Sequence, residues 1–311
     1  MDRSEYGFCF QQIHIDAARN STDDFNPFHD PHKYRDIKDN PYKGTIVLGF
    51  QLECLIEYLV NLHRDEHGEL NFMEEHDLHF SNYQLTFANA LLPGEPFKVE
   101  IKPSIFKLDP PSLSNRIIVR KSDSMVIIGH RRETAEPLFV PNNDLSLFAD
   151  AMSGKQQTSV TESQFYLKSK YISAGNAKNF TSGSLCDQYY YFDVLENRVN
   201  YPEMYPCSLT SCALLEKAMS ENYDFVTNPM VYMSHNISIN HRISKNLRTN
   251  DELRIAVNGP HIIAGEKGLG KSELTQQLFC CLGLVRENLT LFYAEVFMAP
   301  LLSIVGAKTS P

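Results

Sequence analysis

The segment Asp24-Phe25-Asn26-Pro27-Phe28-His29 places a carboxylate and an imidazole within six residues of one another. Pro27 fixes its own φ and disfavours a regular helix, so the chain is expected to turn between the two groups. A carboxylate and an imidazole that converge across a turn can hold one water molecule and exchange protons with it. The segment therefore predicts a water-activating pair, Asp24 and His29. Asn26 is expected to orient rather than react, because a neutral amide does not exchange protons usefully near neutral pH.

The same residue types also occur in ordinary turns, where Asp and Asn side chains hydrogen-bond to their own backbone. The downstream sequence favours a functional role. Gly49 begins a run in which apolar residues recur at helical spacing on most sides, with Gln51, Glu53 and Glu57 as the polar exceptions. Such a helix is expected to be buried nearly all round. Its N-terminus would present unpaired backbone N–H groups to an anion.

The D-x-N-P-x-H motif, followed by Ile46-Val47-Leu48-Gly49-Phe50, resembles the signature of the MaoC-like or hydratase 2 family. These are hot-dog-fold enzymes that hydrate or dehydrate acyl thioesters. The resemblance implies reversible hydration of a trans-2-enoyl thioester to the (3R)-hydroxyacyl thioester, with Asp24 and His29 activating one water. Gly49 would match the family's oxyanion position. Leu48 stands where the family usually has His, so a side-chain hydrogen bond expected there is missing.

The resemblance also limits the partners. It implies an acyl thioester of coenzyme A or of an acyl carrier protein as substrate, a place in fatty acid metabolism, and no cofactor. Two other functions stay open: a thioesterase on the same fold, against which the motif spacing speaks, and a non-catalytic acyl-binding or assembly subunit. Basic residues at Arg131-Arg132 and within 240–248 are candidates for contact with a phosphate or an acidic carrier, or are solvated strand ends.

Composition excludes several other classes. The 311-residue chain has a formal net charge of −9, which argues against nucleic acid or an anionic membrane as the main partner. The N-terminus has neither a basic nor an apolar signal region, and no apolar run approaches the roughly 18 residues that a membrane span needs. The seven cysteines form no C-x-x-C pair, so reduced thiols in a cytoplasmic protein are expected, with no metal site.

The two halves of the chain can be overlaid with an offset of about 155 to 165 residues, which indicates a duplication. Each half is expected to contain a strand, a short helix, a long helix and a meander of strands. This order predicts an α+β double hot dog, in which two tandem antiparallel sheets are each wrapped round a long helix. The expected units are 1–139, which carries the catalytic motif, a linker at 140–163, and a degenerate unit at 164–311.

The overlay also predicts one active site per chain. Opposite Asp24 to His29, the second half offers the neighbourhood 180–185, which has no acid, imidazole or proline. The two halves would form a pseudo-dimer within the chain, and a homodimer of whole chains is left open.

The segment Gly265 to Ser272 fits the G-x-x-x-x-G-K-S pattern of phosphate-binding loops. Only about 40 residues follow it, too few for the parallel sheet of a nucleotide-binding domain. The segment is therefore expected to be a loop between two strands.

Overall fold

The computed structural model describes residues 5–141, 165–263, 275–286 and 288–304. All but the first two residues of the predicted linker at 140–163, and the whole of the glycine-rich segment 265–272, lie outside these ranges. The division into three segments therefore stays a prediction.

The described helices and strands follow the predicted order of strand, short helix, long helix and meander in each half. The helices are α1 (Gln12–Thr22), α2 (Gly49–His67), α3 (Leu70–Glu75), α4 (Ala174–Gly183), α5 (Gln188–Tyr191), α6 (Met204–Ser220) and α7 (His241–Ser244), with a 3-10 helix at Pro27–His29. The strands are β1 (Glu5–Cys9), β2 (Phe80–Phe87), β3 (Pro96–Ile101), β4 (Ile105–Leu108), β5 (Pro111–Lys121), β6 (Ser124–Thr134), β7 (Phe165–Tyr171), β8 (Phe192–Asp193), β9 (Arg198–Val199), β10 (Met230–Asn240), β11 (Glu252–Ile263), β12 (Gln276–Val285) and β13 (Leu289–Pro300).

One large antiparallel sheet runs through the molecule in the order β1-β3-β5-β6-β2-β10-β13-β12-β11-β7, with β4 paired to β5. The first five strands come from the first half of the chain and the last five from the second. The halves join where β2 pairs with β10, from Thr86 opposite Ser234 to Phe80 opposite Asn240. This pairing covers two strand edges that separate sheets would leave open.

The two long helices, α2 and α6, pack against each other and against the sheet. The expectation that α2 is nearly engulfed is confirmed, because its apolar residues are buried together with Gln51, Glu53 and Glu57. Arg64 is buried on the same helix and binds Asn115 and Glu133 of the first half. Gln51, Glu53 and Glu57 also need partners, since an unpaired buried polar group costs about 1–3 kcal/mol. Gln51, Glu53 and Glu57 have hydrogen-bond partners in the second half of the chain, at Gly183, His235 and Met204 respectively.

The strands on either side of the glycine-rich segment, β11 and β12, pair antiparallel, with Ile263 opposite Gln276. A phosphate-binding loop of the nucleotide-binding type instead leads from a parallel strand into a helix. Within the described residues, no helix is both long enough and apolar enough to cross a membrane.

Candidate active site

The motif segment folds as two consecutive side-chain-capped turns. Helix α1 ends at Thr22, and Asp23 follows in the left-handed region with φ 53°. The Asp24 carboxylate accepts the Asn26 amide at 3.0 Å, and the Asn26 side chain accepts the Phe28 amide at 3.1 Å, which starts the short 3-10 helix. Ordinary turn chemistry is thus present. These turns also fix the direction in which the next side chain, His29, leaves the backbone.

His29 is held as a neutral base. Its side chain is 5% exposed, and its Nδ1 lies 2.8 Å from the carbonyl oxygen of Ile46. Because a carbonyl only accepts, Nδ1 carries the hydrogen and Nε2 keeps a lone pair. Burial lowers the pKa of His29 below its ordinary value, while the charge of Asp24 and the Ile46 hydrogen bond partly oppose this effect and Arg19 adds to it. At neutral pH the imidazole can therefore accept a proton at Nε2.

Gly49 is the first residue of α2, so its amide belongs to the first turn, whose N–H groups have no acceptor within the helix. A Cβ at this position would lie 3.1 Å from Cζ of Phe87 and 3.3 Å from Cδ2 of Tyr232. The absence of a side chain therefore leaves the helix end open. Leu48, which precedes it, donates its amide to the Gln51 side chain at 3.4 Å.

His29, Gly49 and Asn26 line one cavity of about 140 Å³. Its apolar wall includes Phe28, Leu52, Phe87, Leu91 and Met298. A base with a free lone pair and a helix N-terminus thus face the same small, mostly apolar space. This arrangement can bind a carbonyl oxygen at one end and a water molecule at the other.

Asp24 is placed differently from its predicted partner. It is 4% exposed but does not line the cavity. Its charge nevertheless raises the pKa of His29 and that of Tyr232. Of the four residues singled out from the sequence, Asn26, His29 and Gly49 line the cavity. Asp24 does not line it and acts through the effect of its charge on His29.

Tyr232, on β10 of the second half, completes the cavity wall and was missed in the sequence. Its hydroxyl is 2.8 Å from that of Ser211 on α6, and burial raises its pKa, followed by the charge of Asp24. The β10–β13 register shifts between Tyr232 and Ser234. Such a bulge re-aims a side chain relative to regular pairing. No local pattern in the sequence signals it.

A buried acid–imidazole pair lies behind Tyr232. Oε1 of Glu53 on α2 lies 2.9 Å from Nδ1 of His235, within hydrogen-bond distance, and both side chains are fully buried. The His235 ring stacks on Phe50 with centroids 4.7 Å apart and meets Phe87 and Tyr232 edge-on at 4.9 and 4.5 Å. The pair thus packs against Phe87 and Tyr232, the two aromatic side chains beside Gly49.

The corresponding helix end in the second half is filled. The Glu57 carboxylate accepts the amides of Glu203 and Met204, each at 2.9 Å, at the start of α6. It also accepts the Tyr191 hydroxyl at 3.3 Å. An acyl oxygen would have to bind where this carboxylate now sits. The first amides of α6 are therefore occupied by a side chain, whereas Gly49 at the start of α2 lines a cavity.

The Glu203 side chain connects this helix end to a buried ionic cluster. It accepts from Ser81 and Tyr83 at 3.2 Å each and pairs with Arg131 at 3.4 Å. Arg131 is buried and also binds Glu133 at 2.7 Å. The interpretation of Arg131 as a contact for a carrier, or as a solvated strand end, is therefore wrong. Arg132, its neighbour on the other face of β6, is exposed.

Within the described ranges, no three His, Cys, Asp or Glu side chains are grouped so as to hold a metal ion. All seven cysteines are unpaired, and six of them are buried.

Comparison with solved structures identifies the architecture. A structure described as a MaoC domain protein dehydratase from Chloroflexus aurantiacus J-10-fl superposes with a TM-score of 0.58 over 95% of this chain and 93% of that chain, at 8% identity. A conserved hypothetical protein from Mycobacterium tuberculosis, described as having a double hot-dog fold, gives a TM-score of 0.56 over 97% and 95%, at 10% identity. The chain has a double hot-dog fold.

A structure described as a MaoC-like dehydratase superposes with a TM-score of 0.55 over 95% of this chain and 97% of that chain, at 9% identity. The predicted α+β class and the recognised type of fold are confirmed by these structures. At such identities the likeness concerns the fold. No family model matches the sequence, and no curated protein matches it.

Proposed function

We propose that the protein catalyses reversible hydration of trans-2-enoyl thioesters to (3R)-hydroxyacyl thioesters, at one site in the first half. The observation that carries the proposal is that a neutral imidazole, His29, and the first amide of α2, at Gly49, line one cavity. Hydration of a conjugated thioester needs a base for water and a donor for the developing enolate. Both are present, in a small and largely apolar space where electrostatic stabilisation is strong.

In the hydration direction, Nε2 of His29 accepts a proton from a water molecule as its oxygen bonds to the β-carbon of the enoyl group. The π electrons move toward the thioester oxygen, which becomes an enolate oxygen bound by the Gly49 amide and favoured by the N-terminal end of the helix dipole. The imidazolium then returns its proton to the α-carbon. One water is added, and His29 ends neutral.

Asp24 acts through His29 in this scheme. Its charge raises the pKa of the imidazole and so stabilises the imidazolium that forms during the reaction. Asp24 also accepts the Asn26 amide, which keeps the motif turn closed. The proposal therefore gives Asp24 an electrostatic and positioning role, in place of direct contact with the shared water that the motif alone predicts.

The test is an assay with crotonyl-CoA, in which loss of the enoyl-thioester absorbance reports hydration and release of free thiol reports hydrolysis. We expect absorbance to fall without free thiol. Thiol release would identify a thioesterase instead, and binding with neither change would identify an acyl-binding subunit. His32→Ala is a matched control for His29→Ala, because His32 lies three residues later in the same loop and is exposed.

A further inference from the structure

Two cavities meet at a common wall beside the motif loop. The reaction cavity, lined by His29 and Gly49, and a second cavity are each about 140 Å³. The second is lined mainly by apolar side chains of the second half, with the Lys217 and Glu221 ion pair also on its wall. Five residues line both cavities and so form the wall: Asn26, Phe28, Met230, Tyr232 and Met298.

Tyr232 is held in this wall by a hydrogen bond and by ring contacts. Its hydroxyl is tied to Ser211, which lines the second cavity, at 2.8 Å. Its ring packs edge-on against Phe50 at 6.2 Å and His235 at 4.5 Å. His235 is in turn bound to Glu53. The ring also meets Phe87, with centroids 6.3 Å apart. A ring held by one hydrogen bond and three aromatic contacts is expected to act as a rigid partition rather than a mobile side chain.

Cavity size sets how much acyl chain fits on the reaction side. An apolar cavity of about 150 Å³ holds benzene, so about six carbon atoms fill such a space. The reaction cavity has nearly this volume, and the second cavity would double it. An acyl chain of about 12 carbons would need both spaces and would have to cross the wall of which the Tyr232 ring is part.

We propose that Tyr232 determines acyl-chain length: its ring closes the reaction cavity against the second cavity and restricts the site to short-chain acyl thioesters. This inference rests on the proposed function, because it names the substrate class of the same site. It assigns a specificity-determining residue to the half of the chain that lacks the motif.

The experiment compares kcat/KM for trans-2-enoyl-CoA substrates with 4, 6 and 12 carbons in the wild type, Tyr232→Ala and Tyr232→Phe. A pocket discriminates by about 10–200-fold for one methylene that does not fit, so the wild type should prefer the 4-carbon to the 12-carbon substrate by at least about 100-fold. Tyr232→Ala should reduce that ratio by at least about tenfold. Tyr232→Phe keeps the ring and should keep a ratio close to that of the wild type.

A binding measurement separates this proposal from the proposed function. Butyryl-CoA and dodecanoyl-CoA have no double bond to hydrate, so their calorimetric Kd values report the cavity alone. Tighter binding of butyryl-CoA in the wild type, relaxed in Tyr232→Ala, supports the partition even if no hydration is found. Hydration with the same chain-length profile in both proteins, or wild-type binding of neither ligand, overturns the partition.

A second variant and a crystal structure test the partition independently of the rate measurements. Ser211→Ala removes the same hydrogen bond as Tyr232→Phe and leaves the ring itself, so it should likewise keep a selectivity ratio close to that of the wild type. A crystal structure of Tyr232→Ala should show the two cavities connected, whereas in Ser211→Ala the ring should stay between them. Cavities that stay separate in Tyr232→Ala would show that another residue forms the partition.

Discussion

The carboxylate of Glu57 lies 2.9 Å from the amide of Met204, so a side chain from the first long helix closes the N-terminus of the second. The first helix has no such side chain at Gly49, where the helix end faces a cavity instead. Two helices in equivalent positions thus differ in what their first amides can bind. This difference favours a single site, at the start of α2, and leads to specific expectations.

We expect His29→Ala to lower kcat by about 10²–10⁴-fold, because it removes the only group in the proposed scheme that exchanges a proton with water. Initial rates with crotonyl-CoA and circular dichroism of the folded variant check this. His32→Ala should keep wild-type rates. Near-normal hydration by folded His29→Ala would show that a different group is the base.

Asp24→Asn should shift the pH profile. His29 must be neutral to act as a base, so kcat/KM falls as pH drops through its pKa. The Asp24 charge raises that pKa, and its removal should therefore move the acid limb of the profile to lower pH, together with a lower plateau. Asp36→Asn, an exposed change in the same loop, should move neither. An acid limb shifted upward would contradict the assigned electrostatic role.

Gly49→Ala should impair turnover more than Gly44→Ala. A Cβ at position 49 lies 3.1 Å from Phe87, closer than ordinary contact, and fills space at the helix end. At position 44 the nearest atom is Leu92 Cδ2 at 3.8 Å, so that change is a fair control within the same loop. Loss of one oxyanion donor typically costs about 10²–10³-fold in kcat, which sets the upper range for Gly49→Ala. Equal activity of the two variants would place the oxyanion site elsewhere.

Glu57 should make stability depend on pH. Burial, followed by the charge of Glu203, raises the pKa of Glu57 to about 8, from an ordinary value of 4.5. The folded protein holds a proton that the unfolded chain releases, so this contribution is complete below about pH 4.5 and is lost as pH rises through about 8. The Tm of the wild type relative to Glu57→Gln should therefore fall between about pH 5.5 and pH 8.5. Glu75→Gln, at an exposed position, should show no such trend.

The halves should depend on each other. Residues 1–141 alone would expose the β2 edge that β10 covers, together with the face of α2 that packs on α6. We expect this fragment to be insoluble or self-associating, and co-expression with residues 164–311 to restore a soluble, active complex. Gel filtration and the hydration assay check both. A monomeric, fully active fragment 1–141 would show that the second half has another role.

The sequence predicted those parts of the site whose residues lie close together along the chain. Asp24, Asn26 and His29 lie in one turn, and the periodicity after Gly49 predicted a buried helix. Tyr232 and Ser211 were beyond reach, because their contact with the site depends on the β2–β10 junction and on a bulge, neither of which leaves a short-range pattern. Glu57 stood out as a polar exception, but its partners lie in the other half of the chain.

Arg131 was misjudged for a different reason. Its charge suggested a solvated position, yet along β6 it alternates in step with Ile127, Gly129 and Glu133, which are all buried. The period of two in a strand was the available signal, and it favours burial of both Arg131 and its ion-pair partner Glu133. Charge alone does not decide exposure when an opposite charge recurs at the same spacing.

The filled end of α6 also bears on how such a chain can change over generations. A second reaction centre would require an acid and an imidazole in the loop before α6 and, at the same time, removal of Glu57. Loss of Glu57 alone leaves the amides of Glu203 and Met204 and the hydroxyl of Tyr191 without their acceptor. No single substitution can add the reacting groups and also remove Glu57. The second half would therefore need several changes at once to gain a site of its own. Selection can still act on it through the residues that it contributes to the wall of the first cavity.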